Sequence, residues 1–202
     1  MALAVTNGLI RWWPNLFDTR DEISGQEGVV MGVVPPVEPG ADDATELGRE
    51  TGWVQLQPAL TNEVFTLSFW VRCRAARPLG WEWLIGQEAG DIEWYFQAGR
   101  GGFDFLIGPL AWDQTNAAER ARLTPEQWNH VALARQMDGT SLVWVDGVRQ
   151  FDGRLAHPWP GQSRWLTVGN SPGGGECAFH GVVRDLCAFD RVLTDDEVRA
   201  LH

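Results

Sequence analysis

Five residues in the middle of the chain have side chains suited to binding a sugar: Trp81, Trp83, Trp94, Trp112 and Asp113. An indole ring stacks on the apolar face of a sugar, while a nearby carboxylate or amide binds its hydroxyl groups. Trp81 and Trp83 are two positions apart, so in a β-strand they point to the same face. The sequence therefore predicts a ligand-binding surface at these five residues. The alternative interpretation, in which this strand face belongs to the hydrophobic core, stays open.

A metal site and a catalytic nucleophile have weaker support in the sequence than the ligand-binding surface. Two acidic clusters have the composition of a calcium site: Asp18, Asp21 and Glu22, and Asp42, Asp43 and Glu46. Neither has the fixed ligand spacing of a characterised calcium loop, so solvated acidic loops are the preferred interpretation. No serine or cysteine lies in a G-x-S-x-G context, and the four histidines are scattered along the sequence. We therefore predict no catalytic residue, no metal ligand and no cofactor.

The charge balance excludes several classes of function. The 202 residues include 16 basic and 27 acidic ones, a net charge of -11, and the basic residues form no cluster. Nucleic-acid binding begins with a cationic surface, so neither DNA nor RNA is an expected partner. The chain has no lysine, which excludes a Walker lysine, a Schiff-base amine and a lysine general base.

The sequence predicts neither membrane insertion nor export by a signal peptide. No apolar run approaches the roughly 18 residues of a membrane helix. The start, MALAVTNGLIRWWP, has neither the charged region nor the long apolar region of a signal peptide. The three cysteines, Cys73, Cys177 and Cys187, are an odd number, and we expect reduced thiols.

The elements that must position these side chains are β-strands, because hydrophobic residues alternate with a period of two through nearly the whole chain. In FTLSFWVRC (Phe65–Cys73) the odd-numbered residues are predicted to face the core and the even-numbered ones mostly solvent. The same pattern predicts further strands at Gly8–Trp13, Gly52–Gln57, Trp81–Gln87, Ile92–Ala98, Phe103–Ile107, Trp128–Arg135, Ser141–Asp146, Arg164–Gly169 and Ala178–Phe189.

Turns and caps complete the predicted architecture. Glycines in Gln136–Gly139 and Asp146–Gly147 suit tight antiparallel hairpins. Val33–Arg49 and Gly108–Glu126 are predicted to be long loops, and Thr194 with Glu197 forms a capping box for a short C-terminal helix. The predicted fold is all-β: one domain, residues 1–202, made of two antiparallel sheets in a jelly-roll sandwich.

Several segments together resemble laminin G-like, concanavalin A-like jelly-roll domains: GLIRWWP, Asp21 with Ser24 and Gly25, FTLSFWVR, WNHVALAR, LVWVDGV, LTVGN, and FHGVVRDLCAFDRVLTDDEV. The resemblance follows the family's order over nearly the whole chain. It implies a lectin-like sandwich with a concave face, calcium at the loop rim in many members, and binding more often than catalysis. Some members of the wider superfamily hydrolyse glycans with alternating carboxylates on one strand. Here Asp91-Ile-Glu93 lacks a third carboxylate, so hydrolysis is the least favoured interpretation.

Because the resemblance extends over almost the entire sequence and no export signal is present, we expect a phage-type virion surface component. It would decorate the head or belong to the tail or fibre, attach by contacts with other virion proteins, and reach the particle surface after synthesis in the host cytoplasm. Glycan binding and symmetric self-association are compatible with this role. The alternatives are a free carbohydrate-binding lectin and, less favoured, a glycan hydrolase.

Overall fold

The strands and the helix were assigned on a computed structural model that describes residues 3–34, 44–48, 51–74, 82–89, 92–99, 102–109, 123–154, 164–171 and 178–202; for 88–89, 92–99, 102–109 and 154 it describes the backbone only. These ranges contain the strands β1 (Leu9–Trp13), β2 (Val29–Gly32), β3 (Thr45–Leu47), β4 (Gly52–Leu56), β5 (Phe65–Cys73), β6 (Glu82–Ala89), β7 (Ile92–Gly99), β8 (Gly102–Pro109), β9 (Asn129–Arg135), β10 (Thr140–Val145), β11 (Val148–Arg154), β12 (Leu166–Val168) and β13 (Gly181–Phe189), followed by the helix α1 (Asp195–Leu201).

The strands form two antiparallel sheets. One has seven strands in the order β1-β13-β5-β9-β10-β11, with β3 also paired to β13, and the other has six in the order β2-β4-β12-β6-β7-β8. The runs β9-β10-β11 and β6-β7-β8 follow the sequence order, whereas β5 lies between β9 and β13, which are distant in the sequence, at the centre of the seven-stranded sheet. The predicted all-β sandwich with a short C-terminal helix is confirmed.

The main core lies between the two sheets. Phe65, Leu67, Phe69 and Val71 of β5 are at most 1% exposed and share one buried cluster with residues of the six-stranded sheet, such as Leu84. Alternation along β5 produces this arrangement, because successive side chains point to opposite faces of a strand. The core face predicted for Phe65–Cys73 is therefore correct, and Cys73 packs half-buried at its end.

A second hydrophobic cluster lies on the outer face of the seven-stranded sheet, where α1 packs. Its buried residues are Val5, Ala132, Ala134, Leu142, Trp144, Cys187, Phe189, Leu193 and Val198. The helix begins with the predicted capping box, in which the Thr194 side chain accepts from the Glu197 N–H and Glu197 binds back to Thr194. Asp195 accepts a hydrogen bond from Trp144 Nε1 at 2.7 Å, which fastens the helix to β10.

This outer packing buries residues of β5 that the sequence pattern predicts to be exposed. Thr66 and Ser68, on the β5 face predicted to be mostly exposed, are 0% and 3% exposed. The Thr66 hydroxyl donates to the Arg191 carbonyl and accepts from the Leu193 N–H, so the segment leading into α1 covers this part of the sheet. Trp70 and Arg72 farther along β5 are half-buried.

Three strands escape prediction by alternation. β3 lies inside the predicted loop Val33–Arg49 and has only three residues, too few to display a period of two. β2 is an edge strand of the six-stranded sheet and β11 an edge strand of the seven-stranded one, where exposure on both sides weakens the pattern. The turn between β10 and β11 is the predicted hairpin, with positive φ angles of 50° at Asp146 and 72° at Gly147.

Cys73 and Cys187 are free thiols, as predicted, whereas Cys177 lies outside the described residues. Burial raises the pKa of the Cys73 thiol to about 12, with the carboxylates of Glu82 and Glu126 adding to the shift. In the described part of the chain, no helix has the length and hydrophobicity needed to cross a membrane.

Candidate functional site

The five predicted ligand-binding residues fall mostly outside the described side chains. Trp81, Trp112 and Asp113 lie outside the described residues, and Trp94 lies in β7, where only the backbone is described. Trp83 lies in β6 and is 6% exposed, so its ring packs inside the protein. A surface formed by these five residues stays a prediction.

Asp21, from one of the two acidic clusters, has a structural role. Its carboxylate accepts hydrogen bonds from the backbone N–H groups of Trp12, Ile23 and Ser24 and from the Ser24 hydroxyl. The side chain is completely buried and holds the loop after β1 in place. In the part of the chain that is described, no group of three or more His, Cys, Asp or Glu side chains is arranged to hold a metal ion.

A different set of residues surrounds an open pocket on the outer face of the seven-stranded sheet. We call it the aromatic pocket; it has a volume of about 180 Å³ and is lined by Leu3, Ala4, Ser68, Trp70, His130, Asp185, Cys187, Ala200, Leu201 and His202. It lies where α1 ends, so the helix and the residues before β1 form one wall and the sheet forms the floor. Its lining combines apolar side chains with a hydroxyl, two imidazoles and a carboxylate, the mixture found in small-ligand sites.

Strand register brings the floor of the aromatic pocket together. Trp70 of β5 is directly opposite His130 of β9 on one side and Arg184 of β13 on the other. Side chains opposite each other on one face of a sheet are in contact. Ser68 lies two residues before Trp70 and therefore on the same face, where its Oγ is 2.8 Å from His130 Nε2.

Three rings form the aromatic side of the pocket. The centroid of the Trp70 ring is 5.3 Å from that of His130 and 5.6 Å from that of His202, and the latter pair is stacked with an interplanar angle of 23°. The two imidazoles are 6.0 Å apart. The helix end thus places His202 against the sheet, although the histidines are far apart in the sequence.

His130 is held as a neutral imidazole. Its side chain is 1% exposed, and burial, with a smaller contribution from His202, lowers its pKa from 6.5 to about 4. Its backbone N–H donates to Asp146 Oδ1 at 2.8 Å, which fixes the start of β9 to the β10–β11 turn. Nδ1 of the ring is buried and has no hydrogen-bond partner.

A β-bulge brings Asp185 to the pocket. The pairing of β13 with β5 shifts register between Arg184 and Cys187, and Asp185 has a positive φ of 50°. Its backbone N–H donates to the Pro14 carbonyl at 3.0 Å, which anchors the bulge on β1. Bulges redirect side chains, and strained backbone in a non-glycine residue is often found at binding sites.

Arginine and tryptophan side chains alternate beside the pocket. The guanidinium carbon of Arg184 is 4.7 Å from the ring centroid of Trp128 and 5.6 Å from that of Trp70, and the guanidinium carbon of Arg72 is 5.2 Å from the Trp128 centroid. We call these four residues the Arg–Trp strip. Such distances are within the range of cation–π contacts, and Trp70 belongs to both the strip and the pocket.

The pocket does not have the geometry of a hydrolytic site. The contact between Ser68 and His130 resembles a nucleophile with its base, but an imidazole with a pKa of about 4 is a poor base near neutral pH. No carboxylate binds its Nδ1, and among the described lining residues only Asp185 carries a side-chain carboxylate. Asp91 lies outside the described residues, and of Glu93 only the backbone is described. The described groups are suited to holding a ligand.

The aromatic pocket is not predicted by the sequence pattern. Its polar residues come from three strands and the end of the helix, and only the pairing of β5 with β9 and β13 brings them together. The alternation along β5 does indicate that Ser68, Trp70 and Arg72 share the outer face. A sequence pattern contains no signal for the register that adds His130 and Asp185.

The architecture and strand order define a two-sheet antiparallel sandwich of the lectin type. Residues 47–199 match a laminin G family model described as the concanavalin A-like lectin/glucanases superfamily. The chain belongs to this superfamily, which confirms the resemblance seen in the sequence motifs. A comparison with curated proteins gives no significant match.

Solved structures share the fold at low sequence identity. Domain 4 of AbnA, an extracellular GH43 arabinanase from Geobacillus stearothermophilus in complex with arabinotriose, aligns over 96% of this chain and 97% of its own, with a TM-score of 0.76 and 17% identity. The binding domain of botulinum neurotoxin DC in complex with SialylT aligns over 96% of this chain and 50% of its own, with a TM-score of 0.75 and 17% identity. A Trypanosoma rangeli sialidase mutant displaying trans-sialidase activity aligns over 98% of this chain and 33% of its own, with a TM-score of 0.75 and 18% identity.

Proposed function

We propose that this chain is a non-catalytic glycan-binding domain and that the aromatic pocket holds one sugar unit of the glycan. The observation that carries the proposal is the composition of the pocket: a half-buried tryptophan beside two imidazole rings and a carboxylate, around an open volume of about 180 Å³.

The polar groups match the hydroxyl groups of a sugar. A hydroxyl can donate to the Asp185 carboxylate, and another can bind the exposed imidazole of His202. The neutral state of His130 suits an uncharged polar ligand, because the ring nitrogens then include both a donor and an acceptor. Leu3 and Leu201 provide apolar surface for the C–H groups of the sugar ring.

The fold comparisons support binding as the activity. Two of the matching structures are a domain in complex with arabinotriose and a toxin binding domain in complex with SialylT. Hydrolysis of a glycosidic bond normally needs two side-chain carboxylates around the bond, whereas Asp185 has the only side-chain carboxylate among the described residues lining the pocket. These features favour binding without catalysis.

A glycan array followed by calorimetry tests the proposal. We expect the wild-type protein to bind at least one class of oligosaccharide, and Asp185→Asn to weaken that binding about tenfold by replacing a charged acceptor with a neutral one. Asparagine tolerates a positive φ, so the bulge should survive, and an unchanged melting temperature will verify this. Asp152→Asn, which removes an exposed acid on β11, is the matched control. Absence of binding across the array, or measurable cleavage of a polysaccharide, would refute the proposal.

A role at the surface of a phage-type particle is a second proposal, supported by the sequence alone. An arginine-only basic set with abundant alanine, glycine and tryptophan fits a GC-rich coding genome and is compatible with a virion component without selecting one. This proposal predicts the protein in stoichiometric amounts on purified particles, attached by protein contacts. Its absence from such particles would leave the free lectin as the better interpretation.

A further inference from the structure

We propose that the glycan bound by this domain is acidic and that the Arg–Trp strip binds its negatively charged group. The inference rests on the proposed function, because it concerns a second part of the same ligand. Its basis is the placement of Arg72 and Arg184 within cation–π distance of the Trp128 ring, with Arg184 also near Trp70 at the pocket.

Stacking on indole prepares a guanidinium for an anion. Where an indole ring contacts the flat face of a guanidinium, the N–H donors project from the edges of the guanidinium. A planar guanidinium held in this way can donate two parallel hydrogen bonds to a carboxylate or a sulfate. Because the rings restrict the arginine side chains before binding, less conformational entropy is lost when the anion arrives.

The charge of the strip contrasts with that of the chain. The chain has a net charge of -11, which repels an acidic ligand at most of its surface. Within the strip and its bulge, the two arginines are accompanied by the carboxylate of Asp185, whose Oδ2 is 4.0 Å from Arg184 Nε. The side chain of Arg184 is 29% exposed, so an anion can reach it.

The strip continues directly from the pocket. Trp70 lines the pocket and contacts Arg184, which in turn contacts Trp128. An oligosaccharide with one unit in the pocket would therefore extend its next unit over Arg184. The charged group is either a carboxylate, as in uronic and sialic acids, or a sulfate ester, since both present the same anionic oxygens.

Matched pairs of oligosaccharides provide the test: oligogalacturonate with its methyl ester, sialyllactose with lactose, and sulfated with desulfated chondroitin oligosaccharides. We expect the acidic member of at least one pair to bind ten or more times more tightly, with a difference that shrinks as salt is added. The pair that shows this difference identifies the anion as a carboxylate or a sulfate. Each of Arg72→Gln and Arg184→Gln should weaken acidic binding about tenfold.

A matched control is available on another part of the chain. Arg164 also lies over an indole, with its guanidinium carbon 4.9 Å from the Trp165 centroid, next to the six-stranded sheet. Arg164→Gln removes the same charge and the same kind of contact, and should leave acidic binding unchanged.

The outcomes separate the two proposals. If neutral members bind as tightly as acidic ones, or if acidic binding survives Arg72→Gln with Arg184→Gln, the inference is wrong while the glycan-binding proposal stands. If Arg164→Gln weakens binding as much as the strip variants do, the effect is one of overall charge, and the inference is again wrong. If no member of any pair binds, glycan binding itself is not supported by these ligands and the inference falls with it.

Discussion

At the scale of single residues, burial of His130 makes the stability of the protein depend on pH. The folded state lowers the pKa of this imidazole from 6.5 to about 4, because burial disfavours the charged form. The unfolded chain therefore takes up the proton at a higher pH than the folded protein. Stability should be greatest above about pH 6.5 and fall as the pH drops toward 4, by roughly 3 kcal/mol in total.

The substitution His130→Gln tests this dependence. Glutamine keeps a polar group near Ser68 but does not take up a proton in this range. Between pH 7 and pH 4.5, the free energy of unfolding of the variant should therefore fall by about 2 kcal/mol less than that of the wild type. Urea titrations at the two pH values measure it. The Glu197 carboxyl has its pKa lowered to about 2 by its hydrogen bonds with Arg191 and Thr194. Its stabilisation is lost mainly below pH 4.5, outside this window. A decline in His130→Gln as steep as in the wild type would contradict the prediction.

The type of a residue is not enough to predict whether it belongs to a binding site in this protein. Aromatic and acidic types led to Trp81, Trp83, Trp94, Trp112 and Asp113, of which only Trp83 has a described side chain, and that side chain is buried. The sequence does not predict a binding role for Trp70, because this residue lies within an ordinary alternating strand pattern. Residue type identifies groups that can bind a sugar, but exposure and neighbours depend on pairing between distant strands.

At the scale of elements, prediction succeeded where the signal is local. The capping box of Thr194 and Glu197 and the turn at Asp146 and Gly147 depend on residues within a few positions of one another. β5 was predicted because nine residues display its alternation. The bulge at Asp185 has no such signal, since β13 departs from regular geometry only in relation to β1 and β5. The element that shapes the site is therefore the one that local sequence describes least.

At the scale of the whole molecule, the seven-stranded sheet joins two hydrophobic clusters. Its inner face packs against the six-stranded sheet, and its outer face packs against α1. The aromatic pocket depends on both, because β5 and β9 form its floor and the end of α1 forms its wall. The all-β class and the helix could be predicted from the sequence, whereas the use of both faces of one sheet could not, because alternation alone marks one face as exposed.

This arrangement predicts that α1 and the sandwich unfold together. Phe69→Ala empties space in the main core and should cost about 3–5 kcal/mol, and Leu193→Ala in the outer cluster should cost about 2–5 kcal/mol. Because the clusters share one sheet, each variant should show a single transition at a lower temperature, with circular dichroism and tryptophan fluorescence in agreement. Glycan binding should be retained by both variants below their melting temperatures. If Leu193→Ala instead produces an early, separate transition with loss of binding while the sandwich persists, α1 is an independent unit, and the pocket can open without unfolding of the sheets.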